Sequence, residues 1–529
     1  MTRRDLAAGA LLLAAAAAPF WAGRFLPFLD LPQHLGLAAV VARHVDPATA
    51  FARTYALDLR PTPYWGYYAA MWLLSRALAL ETANRVLFTA YALAIPLASA
   101  YLLASFGRDR RWAVFAVPLA FGTNLFFGFA SFLLSIPLFL VALGLAERHL
   151  AAHRPRPRVA AALAAATCAV YLCHAQTYLV LGLCVAVLLA AHERGVRWAL
   201  GRAVPFLPSL ALFGAWFWRS FIVREAAASA AAHTVHHGGY GRLGALGAVW
   251  EPWQVVIGKM AERTFGAFTD GSDRRLGGAL LVVYAVALAL AHGPATEPER
   301  APDPSRLRRW LLSHRCDVLV LALLAAYLFA PMEISGQWYV NPRHLVFAAL
   351  ALPLLLARPA TGPRAAVAAA AAVVALAVCG NAGLKISAFQ RQVGPFDAIE
   401  AALPAGGRVL GLPFDLGAAG PVRLWPFIHF ACYAQVLAGA DVGFSFAGLP
   451  SIPVRYRPGM QAPHPYEWTA EAFDWPSMGL AYDAFLVSGT PRGRGGAHLV
   501  AHAEPVARGG AFTLWRPKGG LTGRPASSR

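Results

Sequence analysis

Asp30 and His34 stand four residues apart in Leu26-Pro-Phe-Leu-Asp-Leu-Pro-Gln-His34, a spacing that puts a carboxylate and an imidazole on one face of a helix. Such a carboxylate can take a proton from an attacking hydroxyl, and the imidazole can orient it or share the proton. Asp30 with Pro32 and Gln33 also fits a capping box, in which the carboxylate is spent on backbone N–H groups. Further polar candidates are Asn124, the pair His174 and Gln176, and the segment 333–344 with Glu333, Gln337, Asn341, Arg343 and His344. His174 reads equally as a structural histidine bonded to a neighbouring helix, and Arg343 as a helix-end arginine reaching toward the interface. A long later segment adds Arg224, Glu225, His233, His236 and His237. Those three histidines resemble metal ligands, but no matching Cys or Asp pattern accompanies them.

The elements that must position these groups follow from composition. The 529 residues are 58% hydrophobic and 14% charged, with a mean hydropathy of +0.50. Soluble domains carry roughly 25% charge and disordered chains are poor in apolar residues, so both classes are excluded. Long, nearly charge-free runs such as 86–106 and 159–191 leave a polytopic α-helical membrane protein. The net charge of +19 would suggest nucleic acid in a soluble protein. In a membrane protein it needs no such partner, because basic residues gather in cytoplasmic loops. The six cysteines lack metal-type spacing and read as buried free thiols.

Charge also orients the chain. Arg3 and Arg4 precede an apolar stretch ending near Trp21, read as an uncleaved first span with its N-terminus inside. The aromatic-rich segment 64–80 is expected to lie flat in the interface, which keeps the basic loop 107–111 inside. Spans then follow at about 85–106, 112–129, 131–146, 159–174, 176–192, 203–221, 276–292, 316–331, 344–357 and 365–384, about eleven in all with the first. The inner stretches hold 19 arginines in 62 residues and the outer ones 12 basic residues in 126, which favours this orientation. It places Asp30, His34, His174 and Arg343 on one outer face.

A transmembrane domain therefore occupies 1–388, with interfacial helices in the first outer loop, 24–83. Residues 389–518 change character, being rich in Gly, Pro and aromatics, and read as a C-terminal extracytoplasmic α/β domain. Its expected strands are 408–412, 481–488 and 511–516, with an apolar helix in 425–438 packed on the sheet. Residues 519–529 read as a disordered tail. His429, His464, Glu467 and Trp468 are candidates for contacting an acceptor, and ordinary packing explains them equally well.

In this order of features the chain resembles the GT-C superfamily of membrane glycosyltransferases. The likeness runs through Asp30 just after the first span, the Pro-containing segment from Pro61-Thr-Pro-Tyr-Trp-Gly-Tyr-Tyr68 to Leu80, and a next span opening with Ala83-Asn-Arg-Val-Leu87 and ending at Arg108–Arg111. It is closest to bacterial members with an Asp-x-Pro-x-His motif in the first outer loop, and Gly128-Phe-Ala-Ser-Phe132 also looks similar to that group. The family's commoner adjacent acidic pair is here Asp30 alone. The resemblance implies a GT-C-like enzyme of a bacterial inner membrane that transfers a sugar from a polyprenyl phosphate to an extracytoplasmic glycan, lipid or protein acceptor. It implies Asp30 as general base and His34 as its helper. Arg343 first and Arg224 second are candidates for the leaving phosphate, with His344, His174, Gln176 and Asn124 lining the substrate site. Some relatives require a divalent cation, and a lone Asp/His pair is little to hold one. A secondary transporter, or an inactive GT-C-like scaffold that binds lipid, are the alternative readings.

Overall fold

The computed structural model of the protein describes residues 3–154, 156–219, 242–243, 247–293, 306–334, 337–449 and 452–519. The chain is mostly helical and ends in a sheet-bearing region. Six described helices are long and apolar enough to cross a membrane: Leu80–Ser105, Ala130–Ala151, Ala175–His192, Val196–Arg219, Ser272–Ala291 and Pro363–Val393. A helix pair, Arg306–Ser313 and Arg315–Phe329, would make a seventh span bent by 74°. The expected spans near the N-terminus, at 159–174 and at 344–357 are shorter apolar helices, Asp5–Trp21, Pro157–Cys173 and Val340–Leu355. Ala130–Ala151 is the central helix, with 83% of its apolar window buried by protein. Val196–Arg219, Ser272–Ala291 and Pro363–Val393 bury only 17–28% of theirs, so most of their apolar surface is left for lipid.

One expected span is not a helix. Residues 112–129 form two 3-10 pieces, Arg110–Ala116 and Pro118–Phe121, then the short helix Thr123–Phe127. Pro118 cannot donate a backbone N–H, Gly122 is extended, and Gly128 ends the run at φ +77°. Apolar content alone cannot register these breaks. The irregular backbone is buried in protein and pinned from outside, with Thr123 Oγ1 donating to the Glu262 carbonyl at 2.9 Å and accepting from Gly266 N–H at 2.9 Å. The aromatic segment after Pro63 is the ten-residue helix Trp65–Leu74, too short to span.

The C-terminal region carries a five-stranded mixed sheet in the order Ala503–Gly509, Phe512–Pro517, Ala484–Ser488, Arg408–Pro413, Asp441–Val442. The first pair is a hairpin, and Ala484–Ser488, Arg408–Pro413 and Asp441–Val442 run parallel. Ala484–Ser488 is buried at every position, as a strand covered on both faces should be. The expected helix in 425–438 shortens to a 3-10 turn, Phe430–Cys432, and Tyr433–Ala438.

This region is fused to the first loop. Tyr55–Leu57 pairs antiparallel with Val454–Tyr456. Tyr55 Oη donates to Asp441 Oδ1 at 2.6 Å, and Arg43 Nη2 donates to the carbonyls of Gln435 and Val436 at 2.5 and 2.8 Å. A Cβ at Gly36 would lie 2.1 Å from Gln435 Oε1, so helix Leu31–Ala42 packs against Tyr433–Ala438 with no room for a side chain there. Arg24 pairs with Glu81 and Glu400 at 2.8 Å each, tying the first helix's exit to both regions. Cys168, Cys173, Cys184, Cys316, Cys379 and Cys432 are all free thiols, and all but Cys168 are buried.

Candidate functional site

Asp30 is held by its backbone. Leu29 and Asp30 N–H donate to the carbonyls of Phe126 and Phe127 at 2.9 Å each. Gly128 turns the chain beneath them, and a Cβ there would stand 2.7 Å from Leu31 N and 2.9 Å from Asp30 N. Asp30 occupies the N-cap position of helix Leu31–Ala42, yet its side chain makes no capping hydrogen bond. The capping-box reading therefore fails on both sides: Asp30 N–H goes to Phe127, and Gln33 reaches away to the C-terminal region. The carboxylate is therefore not spent on the helix N-terminus.

That carboxylate faces an imidazole from the far end of the chain. Asp30 Oδ1 lies 3.4 Å from His429 Nε2, and Glu467 Oε2 lies 3.4 Å from the same nitrogen. On the other side of the ring, Gln33 Nε2 lies 3.2 Å from His429 Nδ1. Phe444 stacks on the imidazole with ring centroids 5.6 Å apart. Glu467 Oε2 is buried and makes no hydrogen bond. Burial pushes the Glu467 carboxyl up to about 7, with the Asp30 charge adding to the shift and His429 opposing it. Gln33, His429, Phe444, Tyr466 and Glu467 line a cavity of about 20 Å³ at the C-terminal ends of the parallel strands. It has room for one or two water molecules. Tyr466 also joins an aromatic group with Trp468 and Trp425, in which Trp425 carries an unfavourable φ of +48°.

His34 shares this environment without bonding to Asp30. Its Nδ1 is 2.9 Å from Tyr68 Oη, and its ring packs on Tyr67, Tyr68 and Phe446. Burial lowers its pKa to about 4, the charge of Asp30 opposing the shift and His429 and Arg343 adding to it. His34 is therefore a neutral imidazole at physiological pH.

Arg343 supplies the nearby cation. Its guanidinium lies 4.0 Å from the centroid of the Phe129 ring, and its Nε is buried with no hydrogen-bond partner. Among the described residues no carboxylate lies within ion-pair distance of it, although Asp30, Tyr64 and Tyr339 are within its electrostatic reach. Gln176 and His344 help hold the same region together. Gln176 Nε2 donates to the Val340 carbonyl at 2.6 Å, and His344 Nδ1 donates to that of Ala326 at 2.8 Å. His174 accepts the Thr177 N–H at the start of helix Ala175–His192 and stacks edge-on against Tyr64 and Phe132. Asn341, with both amide atoms unpartnered, and His344 Nε2 add orphaned buried polar atoms to this wall. Asn124 is apart, lining a separate small cavity with Arg263 and Thr264. Arg224, His233, His236 and His237 lie outside the described residues.

Asp30, His34 and Arg343 thus share one electrostatic environment, and His174 feels Arg343 and His344. The pairing of Asp30 with His429 and Glu467 was not legible from spacing, because no local pattern links positions so far apart. The usable signal was chemical type: His429 is an imidazole in an apolar stretch, and Glu467 an acid between Tyr466 and Trp468. Among the described residues no group of three His, Cys, Asp or Glu side chains could hold a metal ion.

A second buried acid offers a contrast. Glu147 Oε2 lies 2.9 Å from His192 Nε2, and its Oε1 accepts from Arg315 Nε at 2.9 Å. Arg315 Nη1 also donates to the Leu312 carbonyl.

The chain matches no family model, no curated protein and no solved structure.

Proposed function

We propose that the protein is a GT-C-like membrane glycosyltransferase that moves a sugar from a polyprenyl phosphate to an acceptor hydroxyl. The reaction face is the extracytoplasmic side of a bacterial inner membrane, with the N-terminus in the cytoplasm. The observation that carries this reading is a base and an anion holder in one site. The Asp30 carboxylate is not spent on a helix cap, and within its electrostatic reach Arg343 has a buried Nε without a partner.

The chemistry balances on these groups. The acceptor oxygen attacks the anomeric carbon while its proton passes to the Asp30 carboxylate. The bond between that carbon and the phosphate oxygen breaks, and its electron pair leaves with the polyprenyl phosphate, which gains one negative charge. Arg343 stabilises that charge through its guanidinium, most strongly in a water-poor setting. Direct displacement inverts the anomeric centre. His34, neutral and bonded to Tyr68, shapes the wall beside Asp30 rather than sharing its proton.

Transfer of radiolabelled sugar from synthetic polyprenyl-phosphate donors by purified full-length protein tests the reading. Covalent product that disappears in Asp30→Asn supports it. Substrate uptake into proteoliposomes without covalent product would indicate a transporter. Donor binding without product from any acceptor would indicate an inactive lipid-binding scaffold.

A further inference from the structure

The position of one proton follows from hydrogen-bond geometry around Gln33. Gln33 Oε1 accepts the Phe446 N–H at 3.0 Å, and Gln33 Nε2 donates to the Phe444 carbonyl at 3.2 Å. Turning the amide over would set donor against donor and acceptor against acceptor, so its orientation is determined. The other N–H of Gln33 then meets His429 Nδ1 at 3.2 Å, which must be the lone-pair nitrogen. The ring proton therefore sits on Nε2, and a second proton on Nδ1 would face the Gln33 N–H. His429 is locked as a neutral donor.

Its single Nε2–H faces two acids, Asp30 and Glu467, each at 3.4 Å. One neutral N–H cannot compensate two largely enclosed negative charges, so one acid keeps a proton. The two side chains are almost equally enclosed, at 13% and 15% exposed, but Glu467 Oε2 is buried with no hydrogen bond, whereas Asp30 has the Arg343 charge within reach. The groups facing Glu467 are Asp30, His429, Tyr466 and Cys432, and the buried Cys432 thiol is pushed up, so it stays uncharged. Arg343 and His34 act on the Asp30 side.

We propose that Glu467 and His429 are positioning residues through which the C-terminal region sets the charge of the site: Glu467 holds a proton beside the Asp30 carboxylate, and ionisation of Glu467 at higher pH repels the anionic donor. The catalytic half of this inference rests on Asp30 being the base; the shared proton does not.

Two arms separate those halves. Infrared titration of the purified full-length protein follows the C=O stretch of protonated carboxyl groups. One group is expected to lose its proton near pH 7, in keeping with the raised Glu467. Its signal is absent in Glu467→Gln and moves to lower pH in Asp30→Asn, where the like charge is gone. Gln33→Leu unlocks Nδ1, permits the imidazolium and also moves the signal to lower pH. No titrating carboxyl that depends on residue 467, or a signal that Gln33→Leu leaves unmoved, overturns the proposal. In the transfer arm, the wild-type rate falls about tenfold from about pH 6 to about pH 8, and that ratio shrinks to within about twofold in Glu467→Gln. A limb that persists in Glu467→Gln overturns the catalytic half. The expected infrared titration without transfer from any donor supports the shared proton and counts against the transferase reading.

Discussion

Among the described residues, two carboxylate–imidazole groups sit in enclosed sites, and they differ in how their charge is balanced. Glu147 meets His192 and Arg315 at 2.9 Å each, and the arginine reaches the Leu312 carbonyl as well. Every strong contact there is made. Asp30 and Glu467 share one neutral Nε2–H at 3.4 Å, while the Nε of the guanidinium in reach of Asp30 has no partner. A buried acid with matched partners holds helices together, and breaking it leaves uncompensated charge. A buried acid left under-compensated costs stability and keeps its reactivity for a substrate. On the proposed reading the same residue types do different work, and the count of partners separates them.

That contrast can be broken in four ways, in decreasing order of effect. Asp30→Asn is expected to cut sugar transfer by roughly 100-fold to 10,000-fold, the range for losing a general base. Its thermal unfolding midpoint should stay at or above the wild-type value, because an under-compensated charge is removed from an enclosed site. Glu147→Gln should do the reverse. It strands Arg315 and His192 and is expected to cost about 3 kcal/mol of stability, measured by thermal unfolding in detergent. Its transfer rate per folded molecule should remain within about twofold of the wild type.

The third effect is pH-dependent stability. Glu467 has a folded pKa of about 7 against 4.5 for a free glutamate. Its protonated form is favoured by the fold, so its contribution is complete below about pH 4.5 and declines as pH rises to about 7. The total loss is about 3 kcal/mol. Unfolding curves across this window should show the decline in the wild type and a flatter dependence in Glu467→Gln. Equal slopes would mean that Glu467 titrates normally. The smallest effect concerns the turn beneath Asp30. Gly128→Ala places a Cβ against Leu31 N and Asp30 N at positive φ, and is expected to cost about 1–3 kcal/mol while lowering transfer more than Glu147→Gln does.

The chain's general architecture was legible because apolar runs and alternating patterns are local. Helices 80–105, 130–151 and 175–192 lie close to the expected spans, and strands near 408, 484 and 512 fall where alternation placed them. Segment 112–129 was misread because Pro118, Gly122 and Gly128 break a run whose apolar content is unbroken. At the site, Asp30 stood out as an acid after the first span, but its partner did not. Four-residue spacing favoured His34, whereas the fold sends His34 to Tyr68 and brings His429 to Asp30. Gln33 read as a cap and proved to be the clamp on His429, a role that depends on backbone groups of Phe444 and Phe446. Such contacts follow from the docking of helix Leu31–Ala42 on the C-terminal region, which no spacing encodes.

The central claim is that the under-compensated acid, and not the compensated one, performs chemistry. Its most direct test is sugar transfer from a synthetic polyprenyl phosphate by wild type, Asp30→Asn and Glu147→Gln at equal folded concentration. The account predicts product from wild type and Glu147→Gln and at least about a 100-fold loss in Asp30→Asn. Transfer by Asp30→Asn at the wild-type rate would contradict it.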